Sequence, residues 1–174
     1  WYVAWQSDFA EIVRPVFENE KIAKIGQNIK FDMMMLRAAG IEVRGKKFDT
    51  MILHYLLDPE SRHNMNVLAQ RYLNYSPIEI ETLIGRGAKQ LTMDMVSVER
   101  VSEYAAEDAD ITLRLKHKLM DEVTSLGLQE LYDTIEEPMI DVLADMEFTG
   151  VKIDAEALSR YAIVLHEKLN ALES

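Results

Sequence analysis

From residue 97 to about residue 125 the chain carries neither proline nor glycine, and Val101, Tyr104, Ala105, Asp108, Thr112, Leu115 and Leu119 recur at spacings of three and four. That period puts them on one face of a single long helix. Asp108 stands in the middle of this largely apolar stripe. Glu107 lies about 100° to one side and Asp110 about 200° around, where ordinary solvent-facing acids belong. A carboxylate on a buried face has to be paired, protonated or bound to a cation. Tyr104 lies one turn earlier on the same face, with its hydroxyl in reach of the same cavity. Period alone leaves two readings of Asp108 open: a structural bond to an arginine or a helix N-terminus, or a functional site.

The rest of the chain alternates short apolar runs with helical patterns. Residues 1–5, WYVAW, read as a strand. A helix is predicted from Asp8, with Phe9, Ile12, Val13, Val16 and Phe17 as its stripe and Pro15 set to kink or shorten it. Ile22, Ala23 and Ile25 mark a short buried strand, residues 28–39 a helix closed by Gly40, and 41–50 a strand pair or a strand and a turn. Further helices are predicted over 50–57, over 66–73 and from Ser76-Pro77 to near Gly85, followed by a loop. Helix resumes over 128–146 around Pro138, and Asp154 caps a last one. Strands alternating with helices make the first part α/β; the part after about residue 128 is helical.

With 174 residues, 48% of them hydrophobic, the chain is long enough for one domain with a real core. The absence of cysteine excludes disulfides, thiolate zinc sites and cysteine nucleophiles, and fits a reducing cytoplasm. No apolar run approaches the length of a membrane span. A net charge of -11 speaks against a broad grip on duplex DNA, but not against an enzyme that holds a few nucleotides through metal ions. His54, His63, His117 and His166 show no zinc-ligand spacing, and GRGAK lacks the spacing of a phosphate loop.

A second acid behaves like Asp108. GQNIKFDMMML puts Asp32 in a methionine-rich helix, with Asn28 at the helix start as its natural cap. Gln27, Asn28 and Asp32 thus set amides and a carboxylate just after a strand end, where ligands bind in open α/β sheets.

GQNIKFD and YAAEDAD resemble the second and third exonuclease motifs of the DNA polymerase I family, Asn-x3-Asp and Tyr-x3-Asp. FDTMILHYLLDPESRHNMNVLAQRYL is similar to the family between those motifs, and EFTGVKID to the segment where its polymerase domain begins, so the resemblance covers essentially the whole chain. It implies a ribonuclease H-like 3'→5' proofreading exonuclease domain over residues 1–125 and the N-terminal helices of the polymerase domain over 126–174. The implied reaction is two-metal hydrolysis of the 3'-terminal DNA phosphodiester, releasing a nucleoside 5'-monophosphate, with magnesium or manganese as cofactor. By the matching motifs Asp32 and Asp108 are metal ligands, Asp32 through water, and Tyr104 orients the attacking water. Gln27, Asn28 and Phe31 lie where the family touches the terminal nucleotides, and Arg62 and His63 sit in a loop that matches a strand-contacting loop. The implied partners are a single-stranded DNA 3' end and a primer-template. The residue types suit this chemistry: hard divalent cations prefer carboxylates and water, and they stabilise the attacking and leaving oxygens of a displaced phosphate. A tyrosine suits a neutral hydrogen-bonding role better than that of a base at neutral pH.

The family's first motif, Asp-x-Glu on the first strand, has no counterpart before residue 32; DFAE has the wrong spacing and lies on a helix. The expectation is that it lies upstream of Trp1 with the first strands of the sheet, that both ends cut through elements of a longer protein, and that this chain is inactive alone. An open strand edge is then expected to rearrange or to recruit a second copy as a homodimer. Two other readings stand beside this one: a ribonuclease D-like exoribonuclease, which shares both motifs but not GVKID, and a catalytically silent module that supports the polymerase domain.

Overall fold

The computed structural model describes residues 8–87 and 90–173. The strand expected over residues 1–5 lies outside the described residues. Strand β1 (Lys24–Gly26) pairs in parallel with β2 (Lys47–Asp49), Lys24 opposite Lys47 and Gly26 opposite Asp49. A parallel pair needs a crossover. Helix α2 (Ile29–Ala38) provides it, closed by Gly40 at a φ of 76°. Helix α1 (Asp8–Phe17) runs through Pro15 and packs Ala10 against Leu36 and Ile41. Of residues 41–50, expected to hold a strand pair or a strand and a turn, only β2 is strand; residues 41–46 are irregular. They wrap the buried Lys24, whose ammonium donates to the carbonyls of Asn19 (2.7 Å) and Arg44 (2.5 Å).

Helix α3 (Thr50–Leu57) covers the residues expected of it and is capped by Asp49, which accepts from the Met51 N–H at 2.9 Å. Helix α4 (Met65–Leu68), capped by Asn64, continues through a π turn at Ala69–Leu73. Helix α5 (Glu81–Ile84) is a single turn and starts well after Ser76-Pro77. The reason is Glu107, which accepts from the Tyr75 hydroxyl (2.5 Å) and the Ile78 N–H (2.8 Å) and so holds that segment out of a helix. Glu107 is therefore a structural anchor, not the solvent-facing acid its position on the wheel indicated. Asp110 does face solvent, beside Arg114.

The long helix is α6 (Val98–Ser125). Its C-terminal half places Ile111, Leu115, Leu119 and Val123 in a core with Leu53, Leu68, Ala69 and Tyr132. Each buried aliphatic side chain there stabilises the fold by about 1.5–3 kcal/mol. After Gly127, α7 (Gln129–Leu131), a π turn (Tyr132–Glu136) and α8 (Glu137–Thr149) form one continuous run, and α9 (Ala155–Glu173) follows with Asp154 as its cap. No described helix is long and apolar enough to cross a membrane.

The π turn and α8 lie on α2, β2 and the residue before it through a row of ion pairs: Lys46–Asp133 (2.6 Å), Lys47–Asp141 (3.0 Å), Arg37–Asp145 and Lys30–Glu147. Tyr132 goes deeper. Its ring stacks on Phe48, and its hydroxyl accepts from the Asp49 N–H (3.0 Å) and donates to the Lys47 carbonyl (3.2 Å). Removing that hydroxyl leaves two buried backbone groups without partners. Tyr132→Phe is expected to lower unfolding stability by about 1–3 kcal/mol, read as a lower urea midpoint with an unchanged slope.

Candidate active site

Asp108 lies in α6 just above the point where the stripe enters the core, with Thr112 buried one turn below it. One of its carboxylate oxygens, Oδ1, is buried and has no hydrogen-bond partner. Desolvation pushes its pKa above the usual carboxylate range; hydrogen bonding from Tyr104 opposes that shift and the Glu107 charge adds to it. Tyr104 is pushed up to about 12 by its own desolvation and by the Asp108 charge, so it is a neutral phenol at any physiological pH.

The second wall is built by the β1–α2 turn. Gly26 ends β1 so close to α2 that a Cβ there would meet the Ile29 Cβ at 2.8 Å. Asn28 takes the left-handed conformation (φ 62°, ψ 50°), which asparagine tolerates better than most residues. Its side chain makes no cap, contrary to the sequence expectation. Asp49 caps α2 in its place, accepting from the N–H groups of Asn28 (3.1 Å) and Ile29 (2.9 Å). Asp32 sits in the first turn of α2. The residue as a whole is exposed, but neighbouring protein partly desolvates its carboxyl, which is pushed up to about 6, first by desolvation and then by the charge of Asp49.

Asp32 and Asp108 meet across one open cleft of about 360 Å³, lined also by Gly26, Gln27, Met65 and Thr112. A neighbouring, more apolar cavity of about 590 Å³ shares Asp32 and adds Phe31, which is 45% exposed. Among the described residues no three His, Asp or Glu side chains converge as a metal-ligand group. Two carboxylates on one cleft, one with an orphaned buried oxygen, nevertheless form a donor set suited to a hard divalent cation.

The other residues singled out from the sequence are divided. Asn28 and Arg62 are exposed, and His63 is half-buried. Gln27 lines the cleft, but its amide is engaged on both sides: the oxygen accepts from the Thr50 hydroxyl and the nitrogen donates to the His63 carbonyl at 2.6 Å. Gln27 thus ties the loop at 58–64 to the cleft wall. Asp49 and His54 were missed by sequence reasoning. Asp49 was legible as the cap of 50–57, but nothing local in the sequence signals its reach back to residues 28 and 29.

A parallel βαβ crossover packed on by the long helix α6, with carboxylates from α2 and α6 on one cleft, makes this an α/β fold, and solved structures share it. The POL domain of Pol1 from M. smegmatis, in complex with DNA primer-template and dNTP, superposes with a TM-score of 0.76 at 20% identity, covering 95% of this chain and 26% of that one. Brucella melitensis NrnC does so at 0.60 and 19%, covering 80% and 66%. The fold is the ribonuclease H-like exonuclease fold. A family profile described as 3'-5' exonuclease matches residues 3–124. DNA polymerase I of Pseudomonas aeruginosa is 41% identical over 165 residues, covering 92% of this chain and 18% of that protein. DNA polymerase I of Chloroflexus aurantiacus is 44% identical over 147 residues, covering 83% and 15%. The chain belongs to the 3'-5' exonuclease family of bacterial DNA polymerase I, and it spans less than a fifth of the length of these curated relatives.

The electrostatics of Asp32 make a prediction about stability. Its folded pKa lies above the unfolded value, so stability contributed through this group is present below about pH 4 and is lost as pH rises through 6. Asparagine cannot ionise and escapes that loss. Asp32→Asn is therefore expected to raise the urea midpoint at pH 8 in the presence of a chelator, with the difference closing as pH falls to 4.

Proposed function

We propose that this chain carries the Asp32 and Asp108 side of a 3'→5' exonuclease site that hydrolyses the terminal phosphodiester of a DNA strand. The observation that carries the reading is the buried, unpartnered Oδ1 of Asp108 in a cleft shared with Asp32. Asp32 and Asp108 would hold magnesium or manganese, which when bound stabilises charge on the attacking and leaving oxygens. Both carboxyls bind protons more tightly than usual, so cation binding should be coupled to proton release. Tyr104 keeps its proton and orients water by hydrogen bonding; it does not act as the base. Phe31 presents an exposed ring on which a terminal base can stack, Asn28 an exposed amide, and Arg62 a guanidinium for the strand's phosphates.

The test is shortening of a 5'-labelled DNA single strand in manganese. It compares the 174-residue chain with a form extended upstream by an Asp-x-Glu-bearing unit. Activity is expected in the extended form, to be abolished by Asp108→Ala or Asp32→Ala and slowed about 10²-fold by Tyr104→Phe. Cleavage by neither form would overturn the catalytic reading in favour of a silent module. A preference for RNA over DNA would move it to an exoribonuclease.

A further inference from the structure

The loop between α3 and α4, residues 58–64, is fastened by side chains that the proposed chemistry does not use. His54 of α3 is completely buried. Its Nδ1 lies 2.7 Å from the Nδ1 of His63 in the loop, with the rings edge to face. Its Nε2 faces the Arg71 guanidinium at 3.5 Å, and Arg71 in turn bonds Asp58 at 2.7 Å. Tyr72 packs edge-on against His54, and Tyr55 against His63. The His63 carbonyl takes the Gln27 amide proton, so the loop is bolted to the cleft wall at the same residue.

Two imidazole nitrogens at 2.7 Å share one proton. Arg71 can only donate, so the His54 Nε2 beside it carries no proton. His54 must then be protonated at Nδ1 and donate to His63. The Nδ1 of His63 is left bare and its Nε2 holds the proton. This assignment follows from the partners of each ring. Both rings are neutral in it. Burial, then the neighbouring His63 and the Arg71 charge, disfavour the charged form of His54; Asp58 works the other way.

We propose that His54 is a positioning residue: through this tautomer-locked pair with His63 it fixes the 58–64 loop, and with it Arg62, beside the cleft for a single-stranded nucleic acid end. The proposal rests on the functional reading above. It differs in what it asks of the molecule, because the tautomers can be read without any nucleic acid.

Two measurements on the full chain decide it. Long-range proton–nitrogen spectra of the ¹⁵N-labelled protein at pH 8 are expected to show His54 protonated at Nδ1 and His63 at Nε2. Affinity for a fluorescein-labelled eight-nucleotide DNA strand, with calcium present as a hard cation for the cleft carboxylates, is then read by anisotropy. His54→Leu is expected to weaken it about tenfold. His54→Asn, which keeps a donor near the Nδ1 position, should bind within about twofold of wild type. Arg62→Ala added to His54→Leu should cost little further, because both act through one loop. The same tautomer on both rings, wild-type affinity in His54→Leu, or equal losses in His54→Leu and His54→Asn would each overturn the proposal. Should His54→Leu fail to fold, the tautomers and His54→Asn still decide. If the tautomers are as assigned but the wild-type chain binds no strand, the nucleic-acid reading fails and the positioning role fails with it.

Discussion

One buried carboxylate organises the fold around the cleft. Asp49 is almost wholly inaccessible, a placement that is costly for a charge unless hydrogen bonds compensate. It accepts from three backbone N–H groups, two at the start of α2 and one in α3, so the positive ends of two helix dipoles converge on it. The end of β2 and the starts of both helices are thereby held at one point. Asp32 stands one turn into the first of those helices, and the same negative charge raises its pKa. Building the site and loading it electrostatically are one act. A cap made by a neutral residue would give the geometry with only the part of the Asp32 proton affinity that desolvation supplies.

The helix after Gly127 is tied to that point from the other side. Tyr132 donates to the Lys47 carbonyl and accepts from the Asp49 N–H, so the backbone of β2 is held between Tyr132 and the helix starts that Asp49 caps. The acidic residues of the run that follows recur every four positions, Asp133, Glu137, Asp141 and Asp145, and meet the backbone or basic side chains of β2 and α2. Lys47 apart, these partners are largely exposed, and exposed ion pairs are individually weak. The buried tyrosine carries more of the attachment, and the ion pairs set the helix's register along the surface.

What could be read in the sequence was what is local. The period of α6 is written over 28 residues, so both its existence and the anomaly of Asp108 were legible. The span of α3 was too, because an Asp-Thr start and an Asp-Pro stop bracket it. The strands were harder: three residues each give almost no alternation to read. Long-range hydrogen bonds were not legible at all. Asparagine at position 28 fits a cap by type, yet its left-handed backbone turns the side chain away from that role and the cap comes from residue 49. Glu107 looked solvent-facing because a helical wheel knows nothing of the segment at 75–78 packed against it. The histidine pair escaped because a spacing of nine has no meaning until the loop between its members has a shape.

The acidity of the chain then takes on a specific sense. Among the described residues, many basic side chains around the cleft and α8 are committed: Lys24 to backbone carbonyls, Lys30, Arg37, Lys46 and Lys47 to the acids around α8, Arg71 to Asp58. A surface of this kind repels a polyanion over most of its extent. The cleft adds two more carboxylates, so a nucleic acid end approaching it meets net repulsion unless cations intervene. On the proposed reading, attraction at the cleft would rest on Arg62, the exposed Phe31 ring and a cation held by the carboxylates. Few phosphates would be neutralised in that way, which would make such a contact short and its dependence on monovalent salt shallow. Placement of a single loop therefore matters more here than it would on a basic surface, where a misplaced arginine is replaced by its neighbours.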